Sequence, residues 1–589
     1  MEQLDQVAQD PHQIIEFERS REGHPTLYIA LWTAIGLGSA LLRIFELGRA
    51  PLSPAEVAEA LSALTGMDAT ASAALSGLLS GANALLFWLL GATDATARLL
   101  PAVAGTLLPL TLVLYSRSLG RRAALFAAAI LALSPTLTFF SRSSSGIILG
   151  ATAALILLGA LLRYRDSGES RWILLAGAAG GLGIASGGAF VGLALALILA
   201  SLGARSTRLL RAWSELGARG PLLAAVAALV LSSTMFFFHA PGLGIVGDGL
   251  MSWLAGFGFG WAGRSLGILV TYELLPLLFG LAGAATLAWR GFGVSRTLTL
   301  WALSGLVLLL LRPDQSDGPI LLVIPLSLLA GSFLDSVLTG HRERTSRLVR
   351  GGSAAAVAIL GTHIFLSLGQ YAHHLAGNPE RATASLLLAA VSAILLVGLV
   401  LLIWTYDWLT ALGGLTAGML VLLSLFSWGK AWELGHTHQA DPRELWVQEA
   451  SAPGVRILVE TLNTASERAT ASPYTIPLTV QSGDPLLRWY LRDFTTVTWV
   501  EALQAGVISE AVIAPLEEAD PLLGDNYLGM DLDLRLASPA SPGRTAAELL
   551  RWQLLRNPAA GGEPRVTSRV VVWLRQDITL VSDDSIGTP

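Results

Sequence analysis

The chain has no cysteine among its 589 residues, so neither a disulfide nor a thiolate metal site can form. Lysine is nearly absent too: of 38 basic residues, only Lys430 is a lysine. Charge as a whole is thin, at 14% Asp, Glu, Lys and Arg, with a formal net charge of −5. With 53% hydrophobic residues beside so little charge, the chain is not a soluble protein. It lacks an Arg-rich tail and any aromatic–basic interleaving, which excludes nucleic acid as a partner. It has no Walker loop and no GxGxxG before a helix. Its glycine-rich stretches read as packing positions in membrane helices. Residues 1–24 lack a basic start followed by a short apolar core. They read as a cytoplasmic segment rather than a cleaved signal.

What the chain does have is long apolar runs, and the stretch from Thr93 to Arg142 organises them. Two runs, Leu99–Leu114 and Ala123–Phe140, flank the basic turn Arg117–Arg122. They read as a helical hairpin whose turn faces the cytoplasm. Further spans are expected at Pro25–Leu42, Gly146–Leu162, Pro221–Phe238, Ile268–Trp289, Leu298–Leu311, Pro319–Leu338, Ser353–Leu368, Ala384–Trp404 and Leu409–Phe426. Trp172–Leu202 reads as two spans turning at Ser186-Gly187-Gly188, or as one long tilted helix. The two-span reading gives thirteen. With the N-terminus inside, the inner loops are 117–122, 163–171, 203–219, 290–296 and 341–350, and all of them are Arg-rich. That is the bias that sets membrane orientation.

The expected domains are a cytoplasmic segment over 1–24, a membrane domain over 25–432 and a soluble domain over 433–589. Between the first two spans lies an exoplasmic loop, 43–92. Ser53-Pro54 opens an amphipathic helix there, with Val57, Ala60, Leu61 and Leu64 on one face, expected to lie on the membrane surface. A second interfacial or re-entrant helix is expected at Ala82–Gly91. From Glu433 the composition turns soluble. YTIPLTVQ, TTVTWVEAL, SEAVIAPLE and RVVVWLRQ read as strands, and DPLLRWYLRDF and TAAELLRWQLLRN as helices. Such alternation favours a small α/β domain.

The segments ARLLPAVAG (97–105), SLGRRAALFAAAILALSP (118–135) and FFSR (139–142) resemble the second and third membrane helices of the GT-C glycosyltransferases. The resemblance is to the protein mannosyltransferase and aminoarabinose transferase type, glycosyltransferase family 39-like, and extends from about Leu41 to Gly331. It implies a polytopic helical protein of the cytoplasmic membrane with a C-terminal exoplasmic α/β domain. It also implies membrane lipids and a polyprenyl-phosphate sugar as partners, an envelope protein or glycan as acceptor, and room for a divalent cation. In that family the first exoplasmic loop carries an acid, often an Asp-Glu pair, that acts as base or holds a metal. Here Ala55 stands at the Asp position and Glu56 remains, with Glu59 one turn on. Small residues fill ASAALSGLLSGANALL and Ser143-Ser144-Ser145-Gly146, where relatives carry polar groups. These departures keep a second reading alive, a pseudoenzyme serving as scaffold or lipid-handling subunit of an envelope complex. A transporter is a third reading, but the chain lacks paired broken helices and a buried charge relay.

On this reading Glu56 is the catalytic base. Arg98 and Arg142, at the outer ends of adjacent helices, hold the donor phosphate by bidentate hydrogen bonds, or else act as interfacial anchors. Tyr272 and Glu273 open a span near the outer surface, and Asp314 and Asp317 lie in the RPDQSDG turn. All four are candidate substrate contacts. His363, the pair His373-His374, and His436 with His438 lack a clear third ligand, so no metal site is assigned. Protease added to intact spheroplasts is predicted to release the fragment that follows Glu433. Protection of that fragment would overturn the orientation.

Overall fold

The computed structural model describes residues 25–65, 75–204, 219–238, 242–258, 260–289, 293–313, 315–339, 347–375, 377–503, 509–516, 526–538 and 563–579, with 523 and 554 singly. Residues 1–24, Asp314 and nearly all of the helix expected over 545–557 lie outside these.

The first part is helical. Helix α1 (Pro25–Ile44) leads to α2 (Pro54–Thr65), α3 (Gly77–Leu90) and α4 (Asp94–Leu107), which runs on as a 3-10 turn over Pro109–Tyr115. Then come α5 (Arg121–Leu133), α6 (Pro135–Ser141), α7 (Ile147–Ser167), α8 (Ser170–Ser186) and α9 (Gly188–Gly203). They are followed by α10 (Arg219–Ser233), α11 (Gly242–Ala255), α12 (Gly263–Tyr272) and α13 (Leu274–Trp289). Helices α14 (Gly293–Leu311), α15 (Ile320–Thr339), α16 (Arg347–His374), α17 (Pro379–Tyr406) and α18 (Trp408–Trp432) complete this part.

Each expected span is met by a helix or helix pair, but they are not alike. Among the described residues seven helices are long and apolar enough to cross a membrane, or nine if two bent pairs each count once. Others, such as α9 and α10, are apolar but shorter. The run Trp172–Leu202 is two helices, broken at Gly187, whose φ of 110° suits glycine. Two expected straight spans are bent instead: α5 and α6 meet at 61°, and α12 and α13 at 97°. The first break has a local cause, since Pro135 cannot continue the ladder of α5.

Broken backbone at membrane depth needs partners for the groups it frees. At the α5–α6 break the side chain of Arg43 supplies one set. It donates to the carbonyls of Leu131 (3.2 Å) and Ala132 (3.0 Å) at the end of α5, and to Ser141 Oγ (3.2 Å). Glu273, standing at the other break, supplies the second set. Its Oε1 accepts from Ser134 Oγ (2.7 Å) and the Thr136 amide (2.9 Å) at the start of α6. The two breaks are thereby joined. Close packing does the rest: a Cβ on Gly105 of α4 would lie 1.9 Å from Ser141 Oγ.

The C-terminal part is a six-stranded mixed sheet in the order β1-β5-β6-β4-β2-β3. Its strands are β1 (Glu449–Ser451), β2 (Leu478–Gln481), β3 (Val497–Val500), β4 (Ala511–Pro515), β5 (Tyr527–Ala537) and β6 (Arg565–Arg575). Strand β2 pairs parallel with β3 and β4, and the other pairs are antiparallel. Helices α19 (Gly454–Thr470), α20 (Pro485–Tyr490) and α21 (Gln576–Thr579) accompany the sheet. The strand-like runs became β2, β3, β4 and β6. Strand β5 was not expected: its Asp531 and Asp533 alternate with Leu532 and Leu534, a period-two signal rather than a β-branched run.

Two large apolar cores result among the described residues, beside three smaller clusters. One fills the helical bundle. The other is shared: Leu52, Val57 and Ala60, Phe87 of α3 and Ala97 of α4 pack with Val455, Leu458, Leu487, Trp489 and Ile513 of the sheet domain. Helix α2 was expected to rest its apolar face on lipid. That face instead packs against the sheet domain, which offers side chains that interlock with it. Arg43→Met is predicted to lower the melting temperature of the detergent-solubilised protein, at about 1–3 kcal/mol for each carbonyl left unsatisfied. An unchanged melting temperature would contradict this account of the break.

Candidate active site

A cavity of ≈ 540 Å³ lies where the helical bundle meets α2 and the sheet domain. Glu56 and Glu59 of α2 line it, as do Ser143–Gly146 before α7 and Ser186-Gly187-Gly188 at the α8–α9 break. Trp253, Arg264, Arg312, Asp317, Gln439, Trp446 and Glu449 also contribute to its wall. The serine–glycine runs are small for a steric reason. A Cβ on Gly146 would sit 2.0 Å from the Ser186 carbonyl oxygen, and one on Gly188 would sit 2.3 Å from Trp253 Cδ1. Tight packing therefore demands the small residues at 146 and 188. It also brings the positive N-terminal ends of α7 and α9 to the cavity.

Glu56 is buried and fully engaged. Its Oε1 accepts from Arg98 Nε (2.7 Å) and the Ser144 amide (2.8 Å), and its Oε2 from Arg98 Nη2 (2.8 Å) and the Ser53 amide (2.9 Å). The Glu56 amide in turn donates to Ser53 Oγ (3.4 Å), completing a reciprocal cap on α2. Burial pushes the Glu56 carboxyl up, but the charge and hydrogen bonds of Arg98 and the two amides outweigh it and hold it below the usual carboxylate range. Two bonds on each oxygen leave no lone pair for a substrate proton. In this structure the carboxylate ties the start of α2 to Arg98 and to the turn before α7. The S-x-x-E spacing at Ser53–Glu56 was the signal for that role.

The two arginines expected to hold a phosphate are also engaged. Besides Glu56, Arg98 donates to the carbonyls of Leu47 (3.3 Å), Ala50 (2.7 Å) and Pro51 (3.1 Å), which uses all five of its N–H groups. Arg142 donates to the carbonyls of Gly435 (2.6 Å), Arg43 (3.3 Å), Phe45 (2.6 Å) and Glu46 (3.1 Å). The two do meet on one stretch of chain, 43–51. Both are buried in it, however, and neither lines the cavity.

The other expected residues divide. Glu273 caps α6 and the Tyr272 hydroxyl donates to the Glu444 carboxylate; neither lines the cavity. Asp314 lies outside the described residues. Asp317 does line the cavity, where both its oxygens accept from Arg312 Nη1 (3.1 and 2.8 Å). Glu59 accepts from the Ser76 amide (3.1 Å), and burial raises its carboxyl to about 8, so it carries a proton at neutral pH.

Sequence reasoning missed the two cationic residues of the wall. Arg264 donates to the carbonyls of Leu445 (3.0 Å) and Trp446 (3.4 Å). Arg312 stacks on Trp253, 4.5 Å from the ring centroid, and its buried Nε has no partner among the described residues. Arg312 opens the RPDQSDG turn that also carries Asp314 and Asp317, and Arg264 sits within His239–Gly267, a glycine-rich aromatic stretch that reads from sequence as an interfacial loop. Buried atoms of Ser144 (Oγ), Ser145 (Oγ), Trp253 (Nε1), Trp446 (Nε1) and Gln439 (Oε1) also lack partners among the described residues. Unpaired buried polar groups on the residues of one wall suit a polar ligand.

Among the described residues one group could bring three metal-ligand atoms together: Glu433, His438 and Glu444, within 4.8 Å of one another. Lys430 Nζ already lies 2.6 Å from Glu433, so a cation entering there has to displace it. His363 bonds Ser392 Oγ (2.8 Å), and His373 and His374 touch edge to face.

Residues 82–238 match the family described as dolichyl-phosphate-mannose-protein mannosyltransferase. No curated protein matches the chain. ArnT from Cupriavidus metallidurans bound to undecaprenyl phosphate superposes with a TM-score of 0.55 at 18% identity, covering 93% of this chain and 98% of its own. The apo form of the same protein gives a TM-score of 0.53 at 18% identity, covering 94% and 99%. An Archaeoglobus fulgidus oligosaccharyltransferase gives a TM-score of 0.43 at 12% identity, covering 84% and 70%, too loose a likeness to argue from. Glu56→Gln is predicted to lower thermal stability, since it leaves Arg98 buried without its counter-charge, a loss of about 3–5 kcal/mol. Wild-type melting of that variant would return Glu56 to the list of candidate bases.

Proposed function

We propose, on the GT-C fold that the chain shares with those structures, that it is a glycosyltransferase. It sits in the cytoplasmic membrane with its N-terminus inside and its sheet domain outside. It passes a sugar from a polyprenyl-phosphate donor to a protein or glycan acceptor outside the membrane. One observation carries the reading: a cavity at the join of the bundle and the sheet domain is lined by Arg264, Arg312 and the N-terminal ends of two helices. Positive helix ends and guanidinium groups suit a phosphate, and the apolar bundle beside them suits a lipid tail.

In this reading the acceptor attacks the sugar's anomeric carbon from the face opposite the phosphate, with inversion. The bond to the phosphate oxygen breaks, and the arginines stabilise the charge that develops there. Arg98 and Arg142 hold the stretch 43–51 that leads into α2, and Glu56 anchors the start of that helix at the cavity. Glu59, protonated, offers the cavity a neutral donor.

The scaffold reading has one observation in its favour, the saturated carboxylate at the family's acidic position. Transfer activity separates the two. Purified protein in nanodiscs is predicted to bind undecaprenyl phosphate well above undecaprenol. Arg264→Gln is predicted to weaken undecaprenyl phosphate about 10- to 100-fold, the value of one charge-assisted hydrogen bond. Equal affinity for the phosphate and the free alcohol would overturn the assignment of the donor site.

A further inference from the structure

The proposed transfer needs a group to take the acceptor's proton. Four carboxyl groups line the cavity: Glu56, Glu59, Asp317 and Glu449. Glu56 has two bonds on each oxygen, and Asp317 is held by Arg312 on both. Glu59 is buried against the Ser76 amide. Glu449 differs from all three. It is exposed while lining the cavity, and its carboxylate makes no hydrogen bond or ion pair among the described residues.

Its position is well fixed all the same. Glu449 opens β1 and pairs with Ala537 of β5. Two residues on, Ser451 Oγ donates to the Leu52 carbonyl (2.5 Å), just ahead of α2, and the Ala452 amide donates to the Leu534 carbonyl (2.9 Å). The sheet domain therefore carries a carboxylate to the cavity on a strand that is tied to the loop bearing Glu56. Glu449 is thus the exposed charge of the cavity wall, while Arg264 is half-buried and Arg312 buried.

We propose that Glu449 is the general base of the transfer and acts on an acceptor hydroxyl. This rests on the glycosyltransferase reading above. The acceptor oxygen forms its bond to the anomeric carbon as the carbon–oxygen bond to phosphate breaks. The electron pair of that bond leaves on the phosphate, and the hydroxyl proton passes to the Glu449 carboxylate and then to water. Glu449 thus gives the sheet domain a chemical role, beyond covering the bundle.

The test uses the full chain in nanodiscs. Donors are radiolabelled undecaprenyl-phosphate mannose and undecaprenyl-phosphate glucose, and acceptors come from envelope membranes of a strain deleted for this chain. Glu449→Gln is expected to cut kcat by about 10²–10⁴-fold while leaving undecaprenyl-phosphate affinity unchanged. Glu449→Asp is expected to keep part of the rate, and added formate to restore part of it to Glu449→Ala. Transfer by Glu449→Gln at the wild-type rate overturns the assignment and leaves the glycosyltransferase reading standing. A rate loss accompanied by loss of undecaprenyl-phosphate binding, with no rescue by formate, marks a structural role and also overturns it. Absence of transfer from either donor by the wild type overturns both readings.

Discussion

The architecture hangs on residues 43–51, the end of α1 and the turns that follow it, whose backbone carbonyls have no helix or sheet partner. Three guanidinium groups from distant parts of the chain take them instead. Arg142 binds the carbonyls of Arg43, Phe45 and Glu46; Arg98 those of Leu47, Ala50 and Pro51; Arg456 of α19 those of Gly48 and Arg49. Backbone beside a membrane finds little water, so an unpaired carbonyl there is costly. A planar fork with five donors meets that need better than an ammonium group does. The chain's near-total preference for arginine over lysine fits this use, though most of its arginines lie elsewhere.

The consequences run in both directions along the chain. Toward the membrane, fixing residues 43–51 places the Arg43 side chain at the α5–α6 break, where it and Glu273 satisfy the two freed ends. Away from the membrane, the same stretch delivers the start of α2 to the sheet domain. Asp94 ties the two parts further: it pairs with Arg456 and accepts from Trp489 Nε1 and the Tyr490 hydroxyl. The bundle, the first loop and the sheet domain thus form a single packed body around the cavity.

This arrangement reassigns the polar residues that chemistry might use. A carboxylate at the family's acidic position is taken up by capping and by pairing, and two prominent arginines are taken up by carbonyls. Groups with remaining capacity lie elsewhere on the cavity wall, at Arg312 and Glu449. The small residues at 146 and 188, which look like losses in a linear reading, are what lets the helix starts approach closely enough to form that wall.

Hydropathy along the chain located every expected span as a helix or helix pair but missed α11, whose glycine-rich, aromatic stretch reads as an interfacial loop. Strand-length β-branched runs located four of the six strands. Those signals are local: an apolar run of a given length has few alternatives in a membrane. The Ser53-Pro54 start of α2 was legible for the same reason. What the sequence could not decide was which partner each polar side chain would meet, because Glu56 and Arg98, or Arg142 and Gly435, lie far apart along the chain. Nor could it decide that the apolar face of α2 would pack on the sheet domain rather than on lipid, since both offer an apolar surface. Pairing and packing across such distances are settled only when the whole chain is folded, and they decide which charges anchor the fold and which are left for chemistry.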